Sequence, residues 1–195
     1  MERLIEQMNF IMEVDKLKTI TRQNYITNGV RKETDAEHSW HLALMAYLLS
    51  EHANEEVDVL KTMAMVLIHD IVEIDAGDTY AFDKAAGIDK EEREKKAAER
   101  LFHILPPDQC DKFLSLWEEF EECKTSEAKF ANALDKIQPV LLHKLSDGKS
   151  WREHNVTLSQ IKKRNEKTME GSNVIWEYVK TIIDEHVTKN NIINE

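Results

Sequence analysis

The chain has 195 residues, of which 42% are apolar and 32% charged, with five glycines and three prolines. This composition is typical of a globular, helical protein and excludes a disordered or fibrous chain, and the length suits one domain with a substantial core. The formal charge of −11, from 37 acidic and 26 basic residues, disfavours binding to a nucleic-acid polymer or an anionic membrane, although a local cation could still hold a small anionic substrate.

Three sequence features indicate a soluble protein of a reducing compartment. Cys110 and Cys123 are the two cysteines and form no C-x-x-C pair, so we expect neither a disulfide framework nor a thiolate metal site. The N-terminal segment carries charges throughout and lacks the apolar centre of a signal peptide. The longest apolar run, residues 42–49, is far too short to span a membrane. We therefore expect a cytoplasmic location.

The N-terminal part of the chain predicts two helices separated by a loop. A first amphipathic helix is predicted over residues 4–17, and a polar loop containing Asn28 and Gly29 over residues 18–33. Thr34 and Glu37 then form the pattern of a capping box. The helix that begins there is predicted to end near residue 53, with these buried positions: Trp40, Ala43, Leu44, Tyr47 and Leu48.

The remaining chain predicts a series of helices and no significant sheet, so the expected fold class is all-α, with one domain over residues 1–195. The segment 57–73 is apolar on most sides and is expected to be a central helix. Gly77 and Gly87 flank a predicted loop, and a second polar loop is predicted over residues 148–155. Further helices are predicted over residues 90–104, 107–122, 126–145, 158–169 and 172–188. Two helical stripes are expected in the core: Phe113, Trp117 and Phe120, and Trp176, Val179 and Ile183.

His69 and Asp70 are the first residues that point to chemistry, because they interrupt the otherwise apolar segment 63–72. An imidazole beside an ionised carboxylate is costly to bury without partners. A divalent cation would compensate the charge. The pair taken alone is also compatible with a satisfied core pair that binds no metal.

His38 and Asp135 could complete a set of metal ligands. Each has a plain structural alternative: His38 as a polar residue at the start of a helix, and Asp135 as the ion-pair partner of a neighbouring lysine. The order His38, His69–Asp70, Asp135, with each member on a predicted helix, favours metal binding. Two imidazoles and two carboxylates suit one divalent transition metal ion: Mn, Fe, Co, Ni or Zn.

The same ordered pattern resembles the HD-domain superfamily of metal-dependent phosphohydrolases. The segments around His38 and at residues 69–78, 116–121 and 127–130 are similar to the branch that contains the 5′-deoxynucleotidases. The similarity covers about residues 4–142, with an HD core at about residues 30–142. It implies a helical HD-domain bundle, commonly homodimeric, that uses one metal ion to remove the 5′-phosphate from deoxyribonucleoside 5′-monophosphates.

Carried over by position, the resemblance implies roles for further residues beside the ligand Asp70. Glu73 would activate or position the attacking water, Asp78 would face the sugar, and Arg22 would contact the nucleotide. The chemistry agrees, because Glu73 lies on the same helix face as Asp70 and could act as a base. Arg22 or Arg31 could supply a cation to the phosphate oxygens. The alternatives are an exposed acid at a helix end and ordinary loop arginines.

Several alternatives remain open at this point. His41 could compete with His38 as a ligand, although the family pattern favours His38, and His143 and the segment 151–154 could line the pocket or cap the fold. Another phosphoester or an alarmone could be the substrate of the same metal set. A diiron oxygenase would need more histidines between Asp70 and Asp135, where His103 alone stands. A noncatalytic metal- and nucleotide-binding module is the alternative of a different class.

Overall fold

A computed structural model describes residues 1–83 and 88–195, and Gly87, expected to flank a loop, lies outside them. The described residues form helices joined by loops and one short hairpin, in agreement with the predicted all-α class. Short 3₁₀ segments follow the first three helices at Asp15–Thr19, Ser50–His52 and His69–Val72. The α-helices of the described residues are, in chain order, α1 (Glu2–Val14), α2 (Asp35–Leu49), α3 (Val59–Ile68), α4 (Glu73–Ala76), α5 (Lys90–Phe102), α6 (Pro107–Glu122), α7 (Ser126–Leu145), α8 (Lys149–Glu153), α9 (Leu158–Arg164), α10 (Thr168–Gly171) and α11 (Asn173–Thr188).

The bounds of α6 and α7 confirm the predicted helices over residues 107–122 and 126–145. Pro107 occupies the first turn of α6, where its missing N–H removes no intrahelical hydrogen bond. Cys123 ends that helix in the left-handed conformation, with φ at 52°. The Thr125 hydroxyl then accepts a hydrogen bond of 3.3 Å from the backbone N–H of Ala128 and caps α7. Local residues therefore fix where both helices begin.

Helix α7 lies at the centre of the bundle, and α2, α3, α6, α10 and α11 pack against it. Gly171 lets α10 approach α7 closely, because an added Cβ there would collide with the Lys129 carbonyl. Four of the six residues expected in the two core stripes are buried: Trp117, Phe120, Val179 and Ile183. The other two members, Phe113 and Trp176, are partly buried and pack against the core. None of the described helices is both long and apolar enough to cross a membrane.

The expectation of no sheet, and of a loop over residues 18–33, is wrong in one place. Strands β1 (Thr21–Tyr25) and β2 (Lys32–Thr34) pair antiparallel across a turn at Gly29, whose φ is 66°. The buried side chains of the two strands are Arg22 and Glu33, so they point polar groups inward. A strand that buries polar residues lacks the apolar alternation by which strands are recognised in a sequence.

The expected buried face of α2 is also wrong. Ala43 is buried, but Trp40, Leu44, Tyr47 and Leu48 are 64%, 48%, 67% and 66% exposed. The core is contacted instead by a face that includes Leu42, Met45 and Ala46. Both faces of α2 are apolar, so periodicity alone could not tell which one turns inward. Helix α1 likewise exposes a row of apolar side chains: Leu4, Ile5, Met8, Ile11 and Met12.

The central helix predicted over residues 57–73 is broken at the pair that carries the chemistry. The Asp58 carboxylate caps α3, accepting a hydrogen bond of 3.0 Å from the Lys61 N–H. The helix then tightens into the 3₁₀ segment His69–Val72 and resumes as α4, which Gly77 ends with φ at 75°. A 3₁₀ turn changes the angle between neighbouring side chains relative to an α-helix. His69 and Asp70 therefore lie on a turn between two helices and not within one.

The C-terminal third contains shorter elements than the sequence predicts. The predicted loop over residues 148–155 contains α8, and the predicted helix over residues 158–169 is divided into α9 and α10. Gly148, with φ at 66°, begins α8. The Asn165 side chain donates a hydrogen bond of 2.9 Å to the Ile161 carbonyl where α9 ends. These short helices bring Trp151 and Arg164 to the wall of the cavity described next.

Candidate metal centre and substrate cavity

One cavity, of about 340 Å³, gathers most of the residues that the sequence singles out. Strand β1, the segment 70–83, α5, α7, α8 and α9 form its walls. Its lining is strongly charged, with carboxylates and cations interspersed. The charged lining residues are Arg22, Asp70, Glu73, Asp78, Asp83, Lys90, Asp135, Lys136 and Arg164.

His38, His69 and Asp135 meet beside this cavity, whose wall includes Asp135, and could hold a metal ion. One ligand atom of each residue lies within 4.8 Å of those of the other two. His38 Nε2 is 3.0 Å and His69 Nε2 is 3.8 Å from the same atom, Asp135 Oδ1. The three residues come from α2, from the 3₁₀ segment and from α7. The tertiary fold therefore brings together residues that are nearly 100 positions apart.

A buried amide fixes the orientation of the His38 ring. His38 Nδ1 lies 3.0 Å from Gln138 Oε1. The amide nitrogen of Gln138 donates to Glu33 Oε1 at 2.6 Å and lies 3.2 Å from His41 Nδ1, so its oxygen is the atom left to accept from His38. A neutral His38 that donates from Nδ1 carries its lone pair on Nε2, toward Asp135. That is the tautomer a metal ligand requires.

The His69 ring is oriented in the same way by the backbone. Its Nδ1 donates to the Val66 carbonyl at 2.8 Å. Its Nε2 is buried and has no hydrogen-bond partner among the described residues. When both rings are neutral, two imidazole lone pairs and a carboxylate oxygen of Asp135 thus converge without a hydrogen between them. Electron-pair donors that converge in a buried place repel one another unless a cation lies among them. The residues present therefore fit a divalent metal ion.

Electrostatics at the group favour positive charge on one imidazole. Burial, with help from the charge of Arg22, lowers the pKa of His38 to about 4, so this ring is neutral. Burial also lowers the pKa of His69, but the charges of Asp70 and Asp135 outweigh it and raise the pKa well above its ordinary value. Burial alone would raise the pKa of Asp135, whereas its contacts with His38 and His69 hold it well below its ordinary value. The carboxylates thus attract a cation to this point.

Asp70 lies beside the three-residue group and is also paired with an arginine. Its Oδ1 is 3.2 Å from His69 Nε2 and its Oδ2 is 3.9 Å from His38 Nε2. The same Oδ2 accepts a hydrogen bond of 2.7 Å from Arg22 Nη1. Burial raises the pKa of Asp70, but the charges of His69 and Arg22 outweigh burial and lower it. Asp70 is therefore ionised and within reach of both imidazoles.

Arg22 is a buried cation at the centre of several carboxylates. Arg22 is the buried residue of β1, so its side chain points inward. Its Nη1 also donates a hydrogen bond of 3.2 Å to Asp35 Oδ1. Burial opposes the charged guanidinium, but Asp70, Asp78 and Asp135 outweigh burial and raise the pKa of Arg22 further. Burial and the charge of Asp70 raise the pKa of Asp35 to about 8. One arginine does not neutralise all of these acids.

Glu73 and Asp78 line the cavity next to this group, as the sequence predicts. Glu73 is 3% exposed, and its Oε2 has no hydrogen-bond partner in the described part of the chain. Burial and the nearby charge of Asp70 raise the pKa of Glu73 to about 9. Burial also raises the pKa of Asp78. Glu73 thus favours its protonated form in the metal-free chain, and its Oε2 forms no hydrogen bond within the described residues.

Arg31 is the predicted site residue that the structure brings neither to the cavity nor to the group of His38, His69 and Asp135. Its side chain is 53% exposed and holds the Glu37 carboxylate in two hydrogen bonds of 2.8 and 2.5 Å. It borders a separate surface depression beside Trp40. Arg31 follows the turn of the hairpin, and its carbonyl accepts a hydrogen bond from the N–H of Ile26. It therefore lies beyond the β1 residues that line the cavity, 22–24. Its predicted contact with substrate finds no support in this placement.

Several residues of the site were missed from the sequence. Gln138 lies three positions after Asp135, so one face of α7 carries both, and this spacing is a signal that could have been used. Glu33 and Asp35 flank the capping residue of α2 and carry no such signal. Lys90, Lys136 and Arg164 are ordinary charges of predicted helices until the fold turns them toward the cavity.

Comparison with known proteins places the chain in a family. The family model described as "HD domain" matches residues 14–176, a wider span than the HD core expected at about residues 30–142, whose limits stay a prediction. A protein of Bos taurus named 5′-deoxynucleotidase HDDC2 is 31% identical over 69% of the chain. Its namesake in Dictyostelium discoideum is 30% identical over 69% of the chain. The chain spans 64% and 74% of the length of these two relatives.

A solved structure from Magnetospirillum magnetotacticum is similar over nearly the whole length. It is described as a "predicted metal-dependent phosphohydrolase" and is 48% identical, with a TM-score of 0.94. The match covers 98% of this chain and 96% of that one. The His38, His69 and Asp135 group thus lies in a fold shared along the chain with that protein. On the extent of the family match and on these relatives, the chain belongs to the HD-domain family.

Proposed function

We propose that the chain is a metal-dependent phosphomonoesterase that removes the 5′-phosphate from deoxyribonucleoside 5′-monophosphates. The observation that carries this proposal is the convergence of two imidazole Nε2 atoms and a carboxylate oxygen at the wall of a cavity. The relatives named 5′-deoxynucleotidase support the substrate class. The similar structure described as a metal-dependent phosphohydrolase supports the type of reaction.

His38, His69, Asp70 and Asp135 are the proposed ligands of one divalent transition metal ion, either Mn, Fe, Co, Ni or Zn. Such an ion, when bound, would stabilise charge on the phosphoryl group and lower the pKa of a water molecule. Asp70 is included because its carboxylate lies 3.2 Å from His69 Nε2. Gln138 and the Val66 carbonyl hold the two rings with Nε2 available.

Glu73 is the proposed general base. The buried Oε2, which has no hydrogen-bond partner within the described ranges, would take a proton from the attacking water. The water oxygen would form a bond to phosphorus as the bond between phosphorus and the 5′-oxygen breaks. The leaving 5′-oxygen would take up the proton that Glu73 had accepted, so that the nucleoside leaves with a 5′-hydroxyl and Glu73 returns to its carboxylate. Burial favours the protonated form of Glu73 in the metal-free chain, and the charge of a bound divalent ion would lower the pKa of Glu73 and favour the carboxylate that a base requires.

Arg22 and Asp78 are the proposed substrate contacts. Arg22 keeps a buried Nε without a hydrogen-bond partner in the described residues, beside the carboxylates that would hold the metal. A guanidinium in that position can donate to the nonbridging oxygens of a phosphate. Asp78 lines the cavity and can accept a hydrogen bond from a sugar hydroxyl.

A homodimer is the proposed assembly, in line with the resemblance. The α1 face (Leu4, Ile5, Met8, Ile11 and Met12) and the α2 face (Trp40, Leu44, Tyr47 and Leu48) are both exposed apolar stripes at helical spacing. Extended apolar stripes on a surface are typical of protein interfaces, and a closed dimer would use the same face of both chains. A cytoplasmic location is also proposed, and the two free thiols suit a reducing compartment.

Phosphate release tests the proposed reaction. Protein freed of metal by a chelator should be inactive, and resupply of Mn, Co, Fe, Ni or Zn should restore turnover of deoxyribonucleoside 5′-monophosphates. Ribonucleotides, other phosphomonoesters and alarmones complete the panel. We expect Glu73→Gln to retain metal and fold while kcat falls by about a hundredfold or more. Turnover of another phosphoester alone would reject the substrate, and a fully active Glu73→Gln variant would reject the base.

The amide of Gln138 should control metal affinity through His38. Replacement by methionine removes the acceptor that holds His38 Nδ1, so metal affinity should fall by about tenfold to a hundredfold. Isothermal titration of the chelated protein with Mn²⁺ measures the change. Gln109→Met is the matched control, because that amide bonds to Gln7 away from the cavity. Equal affinities of the Gln138→Met variant and the wild type would contradict this role of the amide.

The exposed α2 face should be part of the dimer interface. The double variant Leu44→Glu, Leu48→Glu places two charges on that face, which a buried interface would not tolerate. Light scattering coupled to gel filtration should give twice the chain mass of 22.7 kDa for the wild type and the single mass for the variant. Val174→Glu, at an exposed apolar position of α11, is the control. A monomeric wild type would reject the proposed dimer.

A further inference from the structure

The proposed reaction leaves one end of the cavity without a role. That end is formed by α8, α9 and the segment around Tyr80, and its lining includes Trp151, Ile161 and Arg164. The metal donors and Glu73 belong to the other walls. A substrate whose phosphate lies against the metal donors would extend its remaining parts into the rest of the cavity.

Arg164 is the cation at this end. It is half-buried, lines the cavity and forms no ion pair with any of the described residues. Arg22 and Lys90 differ, because Arg22 is bonded to Asp70 and Lys90 lies 3.0 Å from Glu94. Lys136 also lines the cavity without an ion pair among the described residues, but it follows the metal donor Asp135 directly on α7. A guanidinium that is partly removed from water without a partner loses solvation without compensation. Arg164 therefore has its donors available for a ligand.

Two neutral polar groups share this end with Arg164. The Tyr80 hydroxyl and His143 Nδ1 are both buried and lack a hydrogen-bond partner among the described residues. Burial raises the pKa of Tyr80 to about 12, and burial lowers the pKa of His143 to about 3, so neither carries charge at neutral pH. Both residues line the same cavity as Arg164, and the charge of Arg164 contributes to the pKa of each.

Aromatic rings lie among these polar groups. The His143 and Trp151 rings are stacked with centroids 4.1 Å apart and planes inclined by 29°. The Tyr80 ring lies 4.5 Å from that of His154. Flat apolar surfaces combined with a few unpaired polar atoms are typical of pockets for flat heteroaromatic ligands.

Helix α7 gives the direction of the cavity. Asp135, Pro139 and His143 line it at successive turns, so His143 lies about 12 Å along the helix from the metal donor Asp135. Arg22 adjoins the proposed phosphate position, and Asp78 is the proposed sugar contact. Trp151, which stacks on His143, and Arg164 line the rest of the cavity, where a nucleotide bound in this direction would place its base.

We propose that Arg164 is a specificity-determining residue that selects 6-oxopurine bases over 6-aminopurine bases in the substrate. The inference rests on the proposed nucleotidase function. Guanine offers two adjacent acceptors, O6 and N7, which match the fork of a guanidinium, whereas adenine puts an amino donor in place of O6. A guanidinium facing that donor would leave both groups unpaired, and such mismatches are strongly rejected in buried sites.

The test compares turnover of dGMP, dIMP and dAMP by the metal-loaded protein. The wild type should favour dGMP and dIMP over dAMP by about tenfold or more in kcat/KM. The dIMP arm matters because hypoxanthine keeps O6 and N7 but lacks the 2-amino group of guanine. Arg164→Met should bring the ratio close to one, and Arg164→Lys should retain part of it, since a single ammonium cannot form the fork.

Lys162→Met is the matched control, because it removes the same charge from an exposed position of α9. This variant should keep the wild-type ratio. Deoxyribose 5-phosphate is the base-free substrate: a loss for it in Arg164→Met as large as that for dGMP would assign Arg164 to the phosphate or sugar and overturn the proposal. A wild type without preference between dGMP and dAMP would overturn it as well.

A binding measurement separates this inference from the proposed function. Calorimetric titration of the same proteins with deoxyguanosine and deoxyadenosine requires no turnover. Tighter binding of deoxyguanosine that Arg164→Met abolishes would support base selection even if the wild type released phosphate from no nucleotide, which would reject the nucleotidase function alone. Equal binding of both nucleosides by the wild type would reject the base selection.

Discussion

Buried acidic side chains that outnumber the cations beside them are the constraint on which the rest of the structure depends. Asp35, Asp70 and Asp135 surround a single buried guanidinium, that of Arg22. Two imidazoles complete the group, with their Nε2 atoms 3.0 and 3.8 Å from Asp135 Oδ1. Buried carboxylates without sufficient counter-charge are costly. The proposed metal ion supplies the missing charge, and the fold is explained by the need to hold these donors around it.

Each element around the cavity contributes to that arrangement. The 3₁₀ segment after α3 lets two adjacent residues, His69 and Asp70, both approach Asp135. The hairpin exists in a polar segment because its inward side chains, Arg22 and Glu33, find partners in the same group. Glu33 in turn holds the amide that orients His38. Central helix α7 contributes Asp135 and Gln138 to this polar network, and both contact His38.

How much could be predicted from the sequence varied with the kind of signal. Helices with local start and stop residues, such as α6 and α7, were predicted at their observed bounds, because Pro107 and Thr125 act through their immediate neighbours. The hairpin was missed because burial of Arg22 depends on distant carboxylates. The inward face of α2 could not be chosen, since both faces are apolar. Arg164 reaches the cavity through the packing of the short C-terminal helices. Helices this short show no hydrophobic periodicity in the sequence that would predict how they pack.

Metal binding measured on the intact protein tests the central claim most directly. Chelated wild type titrated with Mn²⁺ should bind one ion per chain, whereas Asp135→Asn, which removes the carboxylate shared by both imidazoles, should lose that binding while remaining folded. Asp147→Asn is the control, because Asp147 is an exposed acid that contacts Arg152 and Lys189. A folded wild type that binds no divalent ion, or an Asp135→Asn variant that binds it as tightly, would contradict the account.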